Sequence, residues 1–226
     1  MTRVLVVEDD PRIVRALALN LKARMYEVGT ASDGATALRS VAADPPDVVL
    51  LDLGLPDMDG IDLIRALRGR ARVPILVVSA RHASPEKIAA LDAGADDYVT
   101  KPFSMDELMA RVRAAVRRTT DVGAGESGIV TTDDFTIDLL AKRVRRGEEN
   151  VRLTPTQWQL LEVLIRHPGR PVSHRQLLQE VWGPPYETQT NYLRVYMAQL
   201  RRKLETDPSH PRYLITEPGM GYRFEK

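Results

Sequence analysis

The chain has 226 residues, enough for two domains of ordinary size, and its 43% hydrophobic and 28% charged residues are typical of a globular protein. It contains no cysteine, which excludes disulfides, thiolate metal sites and cysteine nucleophiles. The formal net charge of +1 gives no general affinity for nucleic acid, so any basic site must be local. The longest uncharged apolar stretch, 73–80, is too short for a membrane span, and no signal-peptide pattern precedes the first strand. We therefore expect a cytoplasmic protein with no membrane partner.

The first half of the chain alternates short apolar runs with helical patterns. The runs lie at 3–7, 26–28, 48–51, 74–78 and 98–100, and apolar residues recur at helical spacing in the stretches between them. Strands that alternate with helices favour a parallel sheet covered on both faces. The sequence thus predicts an α/β fold with a doubly wound, parallel, five-stranded sheet.

A carboxylate follows the most apolar of these runs. The run at 48–51 leads directly to Asp52 and then to a loop that contains Gly54 and Pro56. At the carboxyl end of a buried parallel strand, Asp52 would open into the crevice where such sheets bind ligands. Alternatively, Asp52 only caps the next helix or turn, as aspartate often does. This stretch by itself leaves both interpretations open.

Polar residues also stand at the ends of the other strands. Glu8 and Asp9 follow the first strand, Ser79 ends the fourth, and Lys101 follows the fifth. The carboxyl ends of parallel strands meet at one edge of the sheet, where three carboxylates would repel each other unless a hard cation such as Mg²⁺ neutralised them. The lysine and the serine could then bind a phosphoryl group held on Asp52. Each residue alone could be an ordinary surface or turn residue, but the combination favours a phosphoryl site.

The second half has a different organisation. Residues 119–128 are rich in glycine and poor in apolar residues, which predicts a linker between a domain at 1–118 and another at 129–226. Short antiparallel strands are predicted at 135–138 and 151–153, with 143–147 in a hairpin between them. Capping boxes, Thr154 with Gln157 and Ser173 with Gln176, predict the starts of two helices.

A third helix, predicted at 190–204, is basic and contains no acid. A basic helix face is usually a solvated surface, but as the second helix of a helix-turn-helix it becomes a candidate reader of the DNA major groove. Two further strands, 213–216 and 222–224, are joined by a Gly/Pro loop and predict a terminal β-hairpin. Together these elements predict a winged helix-turn-helix DNA-binding domain.

The strand-end motifs carry a family resemblance. Residues 4–118 resemble a response-regulator receiver domain through the motifs at 7–10, 51–53, 54–60, 79–81 and 101–103. Residues 129–226 are similar to the winged-helix effector domain of the OmpR/PhoB class. The resemblance implies a two-component response regulator, a non-enzymatic protein whose partners are a sensor histidine kinase, double-stranded promoter DNA and RNA polymerase.

The resemblance also implies roles for individual receiver residues. Asp52 would accept the phosphoryl group, and Mg²⁺ would be bound by Glu8, Asp9, Asp52 and the carbonyl of Gly54. Ser79 and Lys101 would contact the phosphoryl oxygens, and the peptide bond before Pro102 would be cis. Tyr98 would be the aromatic residue that turns inward when Ser79 moves, although an ordinary half-buried strand aromatic is an equal alternative.

Two surfaces follow from the same resemblance. The phosphorylated chain would form a homodimer through the fourth helix, fifth strand and fifth helix, using Lys87, Ile88, Leu91, Asp96, Asp97, Glu107, Ala110, Arg111, Arg113 and Arg118. Two winged helices would then occupy tandem half-sites about one helical turn apart. The expected DNA contacts are Asn191, Arg194, Gln199, Arg201, Arg202 and Arg223.

Two positions depart from the family pattern. Met25 stands where a glycine would close the first helix, and Pro218 stands where some members carry an arginine for the minor groove.

The stretches 177–184, 191–205 and 214–224 look like those of potassium-uptake regulators, which implies a potassium-transport operon as the target. The alternatives are a different regulon, a constitutive DNA-binding protein with a vestigial receiver, and a Mg²⁺-dependent phosphatase. Gly54 argues against the phosphatase because such enzymes usually carry a second aspartate at that position.

Overall fold

The computed structural model describes residues 1–81, 84–120, 128–183, 186 and 190–226, apart from the side chains of 84 and 118–120. The chain divides into two compact units, Met1–Thr119 and Thr120–Lys226. Residues 121–127 of the predicted linker and the side chain of Arg118 lie outside the described residues. Among the helices of the described part, none has the length and apolar character that crossing a membrane requires.

Strands and helices alternate through the first unit. In chain order they are β1 (Arg3–Val7), α1 (Pro11–Lys22), β2 (Glu27–Ala31), α2 (Gly34–Ala43), β3 (Val48–Leu51), α3 (Gly60–Arg70), β4 (Ile75–Ser79), α4 (Ser84–Ala93), β5 (Asp97–Thr100) and α5 (Met105–Thr120). All five strands pair in parallel, in the order β2-β1-β3-β4-β5. The predicted doubly wound parallel sheet is therefore confirmed.

The central strand β3 is buried on both faces, as its apolar sequence predicts. Its four residues are each no more than 1% exposed. Val48 and Leu50 belong to a core cluster with residues of α1 and α5, such as Leu17 and Leu108. Because side chains alternate along a strand, Val49 and Leu51 point to the opposite face. Because both faces of β3 lie in the core, a charged side chain can reach solvent only beyond the end of the strand. Asp52 is the residue that follows that end.

Helix α1 ends in a left-handed residue although no glycine is present there. The backbone N–H of Met25 donates to the carbonyl of Lys22 (3.0 Å), and that of Tyr26 donates to the carbonyl of Leu21 (3.2 Å). This is the Schellman pattern, which needs a left-handed residue where Met25 lies, and Met25 has φ 64°. Its side chain is exposed. The hydrogen bonds of the helix end thus impose on methionine a conformation that glycine adopts more readily.

The second unit combines two small antiparallel sheets with helices. Its elements are β6 (Ile129–Thr131), β7 (Thr136–Asp138), β8 (Arg143–Arg146), β9 (Glu149–Val151), α6 (Pro155–Ile165), β10 (Val172–Ser173), α7 (His174–Val181), α8 (Thr190–Leu204), β11 (Leu214–Glu217) and β12 (Gly221–Phe224). The first sheet has the order β6-β7-β8-β9 and the second β10-β12-β11. The β11–β12 hairpin confirms the predicted wing. Residues 143–147 lie in a hairpin as predicted, because β8 pairs with β9. The strand predicted at 151–153 is instead β9, β8 also pairs with β7, and β6 adds an edge strand that the sequence did not reveal.

The two predicted capping boxes have different outcomes. At α6 the box is complete, since Thr154 Oγ1 accepts from the N–H of Gln157 (3.3 Å) and Gln157 Oε1 accepts from the N–H of Thr154 (3.1 Å). At α7, Ser173 caps the N–H of Gln176 (3.2 Å), but the side chain of Gln176 donates to Glu180 (2.8 Å) instead. The second capping box is therefore confirmed for Ser173 but wrong for Gln176. The side chain of Gln176 binds Glu180 because Glu180 lies one helical turn away on the same face.

We predict that Met25→Gly stabilises the protein by about 0.5 to 1 kcal/mol, because relief of the left-handed strain exceeds the extra entropy of the unfolded chain. Chemical denaturation measures the change in the free energy of unfolding. Met25→Ala is the matched control, since it removes the same exposed side chain but keeps the strained backbone. Equal stability of the two variants would contradict this account of the helix end.

Candidate functional site

Three carboxylates meet at the carboxyl ends of β1 and β3. The two strands are neighbours in register, with Val7 beside Leu51, so the residues that follow them are brought together. Glu8, Asp9 and Asp52 each offer an oxygen within 4.8 Å of the others. Asp10 is separate, because it caps α1 by accepting from the N–H of Arg12 (2.8 Å). The hydrogen bonds and charge of Arg12 lower the pKa of Asp10 to about 2.

Lys101 places a positive charge between two of these carboxylates. Its Nζ lies 2.6 Å from Asp52 Oδ2 and 2.7 Å from Glu8 Oε2. Burial by itself would lower the pKa of Lys101, but the hydrogen bonds from its ammonium to Asp52 and Glu8 outweigh burial and raise it. Burial raises the pKa of Glu8, the nearby charge of Asp52 raises it further, and the bond to Lys101 only partly offsets both. The group is thus a desolvated cluster whose negative charge exceeds its positive charge.

Ser79 and Tyr98 lie beside this cluster. Both are buried, and Ser79 Oγ accepts from the N–H of Arg81 (3.3 Å). The hydroxyl of Tyr98 donates to the carbonyl of Arg81 (2.6 Å), so its ring faces inward in this structure. Burial raises the pKa of Tyr98, and a hydrogen bond with Ser79 acts in the opposite direction. The peptide bond between Lys101 and Pro102 is cis, as expected.

The contacts of the loop between β3 and α3 bear on both interpretations of Asp52. The N-cap of α3 is Asp59, which accepts from the N–H of Ile61 (2.8 Å). Asp52 Oδ1 accepts from the N–H of Gly54 (3.2 Å), while its Oδ2 binds Lys101. Asp52 therefore caps the first turn of the loop, as the alternative interpretation allowed, but it does not cap α3, and its other oxygen belongs to the charged cluster.

The donor atoms of the cluster fit a hard divalent cation. Carboxylate oxygens are the ligands that Mg²⁺ prefers, and receiver domains bind Mg²⁺ at an acidic site of this kind. Glu8 is 4% exposed and close to Asp52, so a cation would relieve a repulsion that solvent screens poorly. Asp9 is exposed, which leaves one side of the cluster open to solvent.

Sequence reasoning assigned no role to three residues in the loops that follow β3 and β4. Arg81 and Asp59 form an ion pair (3.2 Å) between the loops that follow β4 and β3. Asp57, in the loop after β3, accepts hydrogen bonds from the start of α2. The partners of Asp57 lie more than 20 positions away in the chain, so no local pattern could have indicated them.

The expected dimer face needs a correction at two carboxylates. Asp96 is 1% exposed, pairs with Arg68 of α3 and accepts from the N–H of Ile75 (2.9 Å). Asp97 is fully buried and pairs with Arg111 (3.1 Å) within the same unit. Both charges are engaged inside the receiver, so neither belongs to an exposed face.

The other residues of the expected dimer face differ in accessibility. Ile88, Glu107 and Arg113 are exposed, and Lys87, Ala110 and Arg111 are partly exposed. Leu91 is 2% exposed and packs inside the receiver, so the same correction applies to it. The ring of Tyr98 lies 5.8 Å from Nζ of Lys87. Burial is the main cause that lowers the pKa of Lys87.

Helix α8 presents only part of its predicted DNA-binding set to solvent. Asn191, Arg194 and Arg202 are exposed. Gln199 is 5% exposed and its Oε1 accepts from Nε2 of Gln157 (2.7 Å), so its prediction as a DNA contact is wrong. The helical spacing that placed Gln199 outward missed that α6 covers this side with a polar partner.

Two further arginines of that set are engaged with the wing. Arg201 donates from Nε to the carbonyl of Leu214 (2.9 Å) and from Nη2 to Thr216 Oγ1 (2.8 Å). Arg223 pairs with Glu217 (2.7 Å) and with Glu225. Arg201 therefore holds α8 against β11, and Arg223 is engaged in ion pairs at the end of the wing.

The chain matches two family descriptions, one for each unit. Residues 4–113 match the response regulator receiver domain, and residues 147–224 match the C-terminal domain of transcriptional regulatory proteins. The chain is 60% identical over 225 residues to the transcriptional regulatory protein KdpE of Mycobacterium tuberculosis, with 100% of both chains covered. It is 49% identical over 227 residues to the KDP operon transcriptional regulatory protein KdpE of Escherichia coli, with 99% of both covered.

Among solved structures, a mutant of RitR superimposes with a TM-score of 0.82 at 28% identity and covers 99% of both chains. The winged-helix unit, the strand-end cluster and these full-length similarities agree with one another. The chain belongs to the two-component response regulators of the OmpR/PhoB type, with a receiver domain followed by a DNA-binding domain, and it is similar to KdpE.

Proposed function

We propose that this regulator is switched by phosphorylation of Asp52 and that the phosphorylated form dimerises and binds promoter DNA in the cytoplasm. The observation that carries the proposal is the position of Asp52, which shares Lys101 with Glu8 at the edge of the receiver sheet. A separate unit displays basic side chains on α8. One unit thus offers a phosphoryl acceptor and the other a DNA-binding surface.

The acceptor chemistry follows from the contacts of Asp52. A carboxylate oxygen of Asp52 attacks the phosphorus of a phosphohistidine on the kinase, a P–O bond forms, and the P–N bond to the imidazole breaks. Lys101, which already contacts Asp52, neutralises charge on the incoming phosphoryl oxygens, and Ser79 supplies a hydroxyl donor. Bound Mg²⁺ would supply further charge neutralisation. Glu8, Asp9, Asp52 and the carbonyl of Gly54 would hold it.

Phosphorylation would act at a distance by favouring one receiver arrangement over another. Ser79 and Tyr98 connect the cluster to the loop at Arg81, through the contact of each with the Arg81 backbone. We infer that the dimer forms on the face that carries Ile88, Ala110 and Arg113, with Lys87, Glu107 and Arg111 around it. A twofold interface is self-complementary, and this face carries charges of both signs.

DNA binding is assigned to α8 and the wing. We infer that Asn191, Arg194 and Arg202 reach base edges or phosphates in the major groove, as arginine and asparagine do in this class of motif. Arg201, which contacts the wing, and Arg223, which lies in it, remain candidates for phosphate contact. The two KdpE relatives suggest a KdpD-like sensor kinase as the phosphoryl donor and a potassium-transport operon as the target. RNA polymerase would be the partner at the promoter.

We predict that a cognate sensor kinase transfers radiolabelled phosphate to the wild-type chain but not to Asp52→Asn, because an amide oxygen is too weak a nucleophile for the transfer. Asp62→Asn is the matched control, since Asp62 is an exposed carboxylate of the same unit, paired with Arg65. Gel autoradiography measures the label. Equal labelling of wild type and Asp52→Asn would refute the assignment.

We predict that Mg²⁺ affinity rises with pH over a range that extends above the ordinary pKa of glutamate. Mg²⁺ needs the ionised carboxylate, and burial raises the pKa of Glu8, so protonation competes with the cation at higher pH than it would for an exposed glutamate. Glu8→Gln should bind Mg²⁺ about tenfold more weakly and with a flatter pH dependence. Titration calorimetry between pH 5 and 8 makes the comparison, and parallel pH curves for the two proteins would contradict it.

We predict that Arg194→Ala weakens DNA binding and lowers the slope of log affinity against log salt by about 0.9, the value for loss of one phosphate contact. Arg65→Ala, which removes an exposed arginine from the receiver, should leave the slope unchanged. Binding is measured at several salt concentrations on the promoter of a potassium-transport operon and on an unrelated promoter. An unchanged slope for Arg194→Ala would exclude a phosphate contact there, and equal affinity for both promoters would exclude the potassium operon as the specific target.

A further inference from the structure

The loop between β3 and α3, which begins at the proposed phosphoryl acceptor, is fastened to the start of α2. Asp57 Oδ1 accepts from the backbone N–H of Gly34 (2.8 Å), and its Oδ2 accepts from that of Ala35 (2.9 Å). The first N–H groups of a helix have no partner within the helix, and they favour a negative charge. The carboxylate of Asp57 therefore accepts hydrogen bonds from the first N–H groups of α2, a role that a capping residue next to the helix usually has, although Asp57 lies in a loop that is distant in the sequence.

Helix α2 also has a local cap, and the two carboxylates do not compete. Asp33 accepts from the N–H of Thr36 (2.7 Å) and from its hydroxyl (2.9 Å). Asp57 serves Gly34 and Ala35 instead, and these two hydrogen bonds lower its pKa although the charge of Asp33 opposes this. Each carboxylate thus satisfies its own donors at the same helix end, but only Asp57 belongs to the loop that contains Asp52.

Packing reinforces the hydrogen bonds at the neighbouring residue. Met58 lies directly over Gly34, where an added Cβ would come within 2.5 Å of the methionine sulfur and 2.7 Å of its Cγ. A glycine at this position allows the loop to approach the helix closely. Two consecutive loop residues, Asp57 and Met58, therefore hold the tip of the loop against α2.

The rest of the loop is fixed at its two ends. Asp52 accepts from the N–H of Gly54, Gly54 pairs with Asp59 in an isolated β-bridge, and the N–H of Gly60 donates to the carbonyl of Leu53 (3.1 Å). An added Cβ on Gly60 would lie 2.5 Å from Cα of Leu53. The backbone at Gly54 thus lies between a fixed base and a tip that is held by Asp57.

We propose that Asp57 is a positioning residue for the phosphoryl site: by binding the start of α2 it holds the loop after β3, and with it the backbone at Gly54, in the arrangement that binds the cation. This inference rests on the proposed function, in which the carbonyl of Gly54 is a ligand of Mg²⁺. A purely structural alternative is that Asp57 is one more cap that only stabilises α2.

The test compares Asp57→Ala with Asp33→Ala in the full chain. Both variants remove one carboxylate from the same helix end, so both should lose thermal stability, but only Asp57→Ala releases the loop. We expect Mg²⁺ to bind about tenfold more weakly to Asp57→Ala, as for residues that orient metal ligands, and with near wild-type affinity to Asp33→Ala. Calorimetric titration with Mg²⁺ alone gives this comparison without any phosphorylation step.

Hydrogen exchange supplies a second readout that needs no cation. Amides of residues 53–60 should exchange faster in Asp57→Ala than in wild type and remain protected in Asp33→Ala. Asp57→Asn, which keeps one acceptor oxygen, should have an intermediate affinity for Mg²⁺ and replaces Asp57→Ala if that variant does not fold. Equal losses of Mg²⁺ affinity in the Asp57 and Asp33 variants, or no loss in either Asp57 variant, would overturn the positioning role.

The two proposals fail in distinguishable ways. A wild-type chain that binds no Mg²⁺ and accepts no phosphoryl group would overturn the proposed function and this inference with it. A wild-type chain that does both, together with an Asp57→Ala variant that binds Mg²⁺ equally well, would overturn this inference alone.

Discussion

Charge balance at the end of the central strands is the constraint on which the receiver depends. Glu8 and Asp52 are 4% and 13% exposed, and they share the single ammonium group of Lys101. Poorly solvated carboxylates this close repel each other strongly, which is one reason why the pKa of Glu8 is raised. The fold tolerates this unfavourable arrangement because the hydrophobic strands that carry it are buried almost completely. A site with excess negative charge is suited to bind a cation and, with it, a phosphoryl group.

In the DNA-binding unit, some polar residues hold one element against another while other polar residues stay exposed. Gln157 completes the capping box of α6, donates to Gln199 of α8 (2.7 Å) and accepts from Nζ of Lys203 (2.7 Å). On another side of α8, Arg201 binds the backbone of β11. The polar residues that turn toward α6 and the wing fix the direction of α8, and Arg194 is left exposed to solvent. One set of polar residues of α8 thus orients the helix within its unit, and another set stays exposed to solvent.

Sequence patterns predicted most of the receiver because its information is local. The hydrophobic periodicity and the length of the apolar run predict β3. The residue that follows each strand determines which side chains meet at the edge of the sheet. Asp52 and Lys101 could be placed together for this reason. Sequence patterns gave wrong predictions for polar side chains that can be either exposed to solvent or buried against a polar partner. Asp96 and Gln199 are polar residues whose burial depends on Arg68 and Gln157, and these partners lie 28 and 42 positions away.

The sequence by itself determined the class of fold, the order of its elements and the residues that meet in the strand-end cluster, because hydrophobic periodicity and the residue after each strand can be read from consecutive positions. The tertiary structure decided which charges are available at a surface. It placed Asp96 and Asp97 inside the receiver, turned Gln199 toward α6, and joined Asp57 to the start of α2. Each of these outcomes depends on a hydrogen bond or an ion pair between distant residues, and a buried polar group adopts whichever arrangement satisfies it. Such partners are fixed only when the chain has packed.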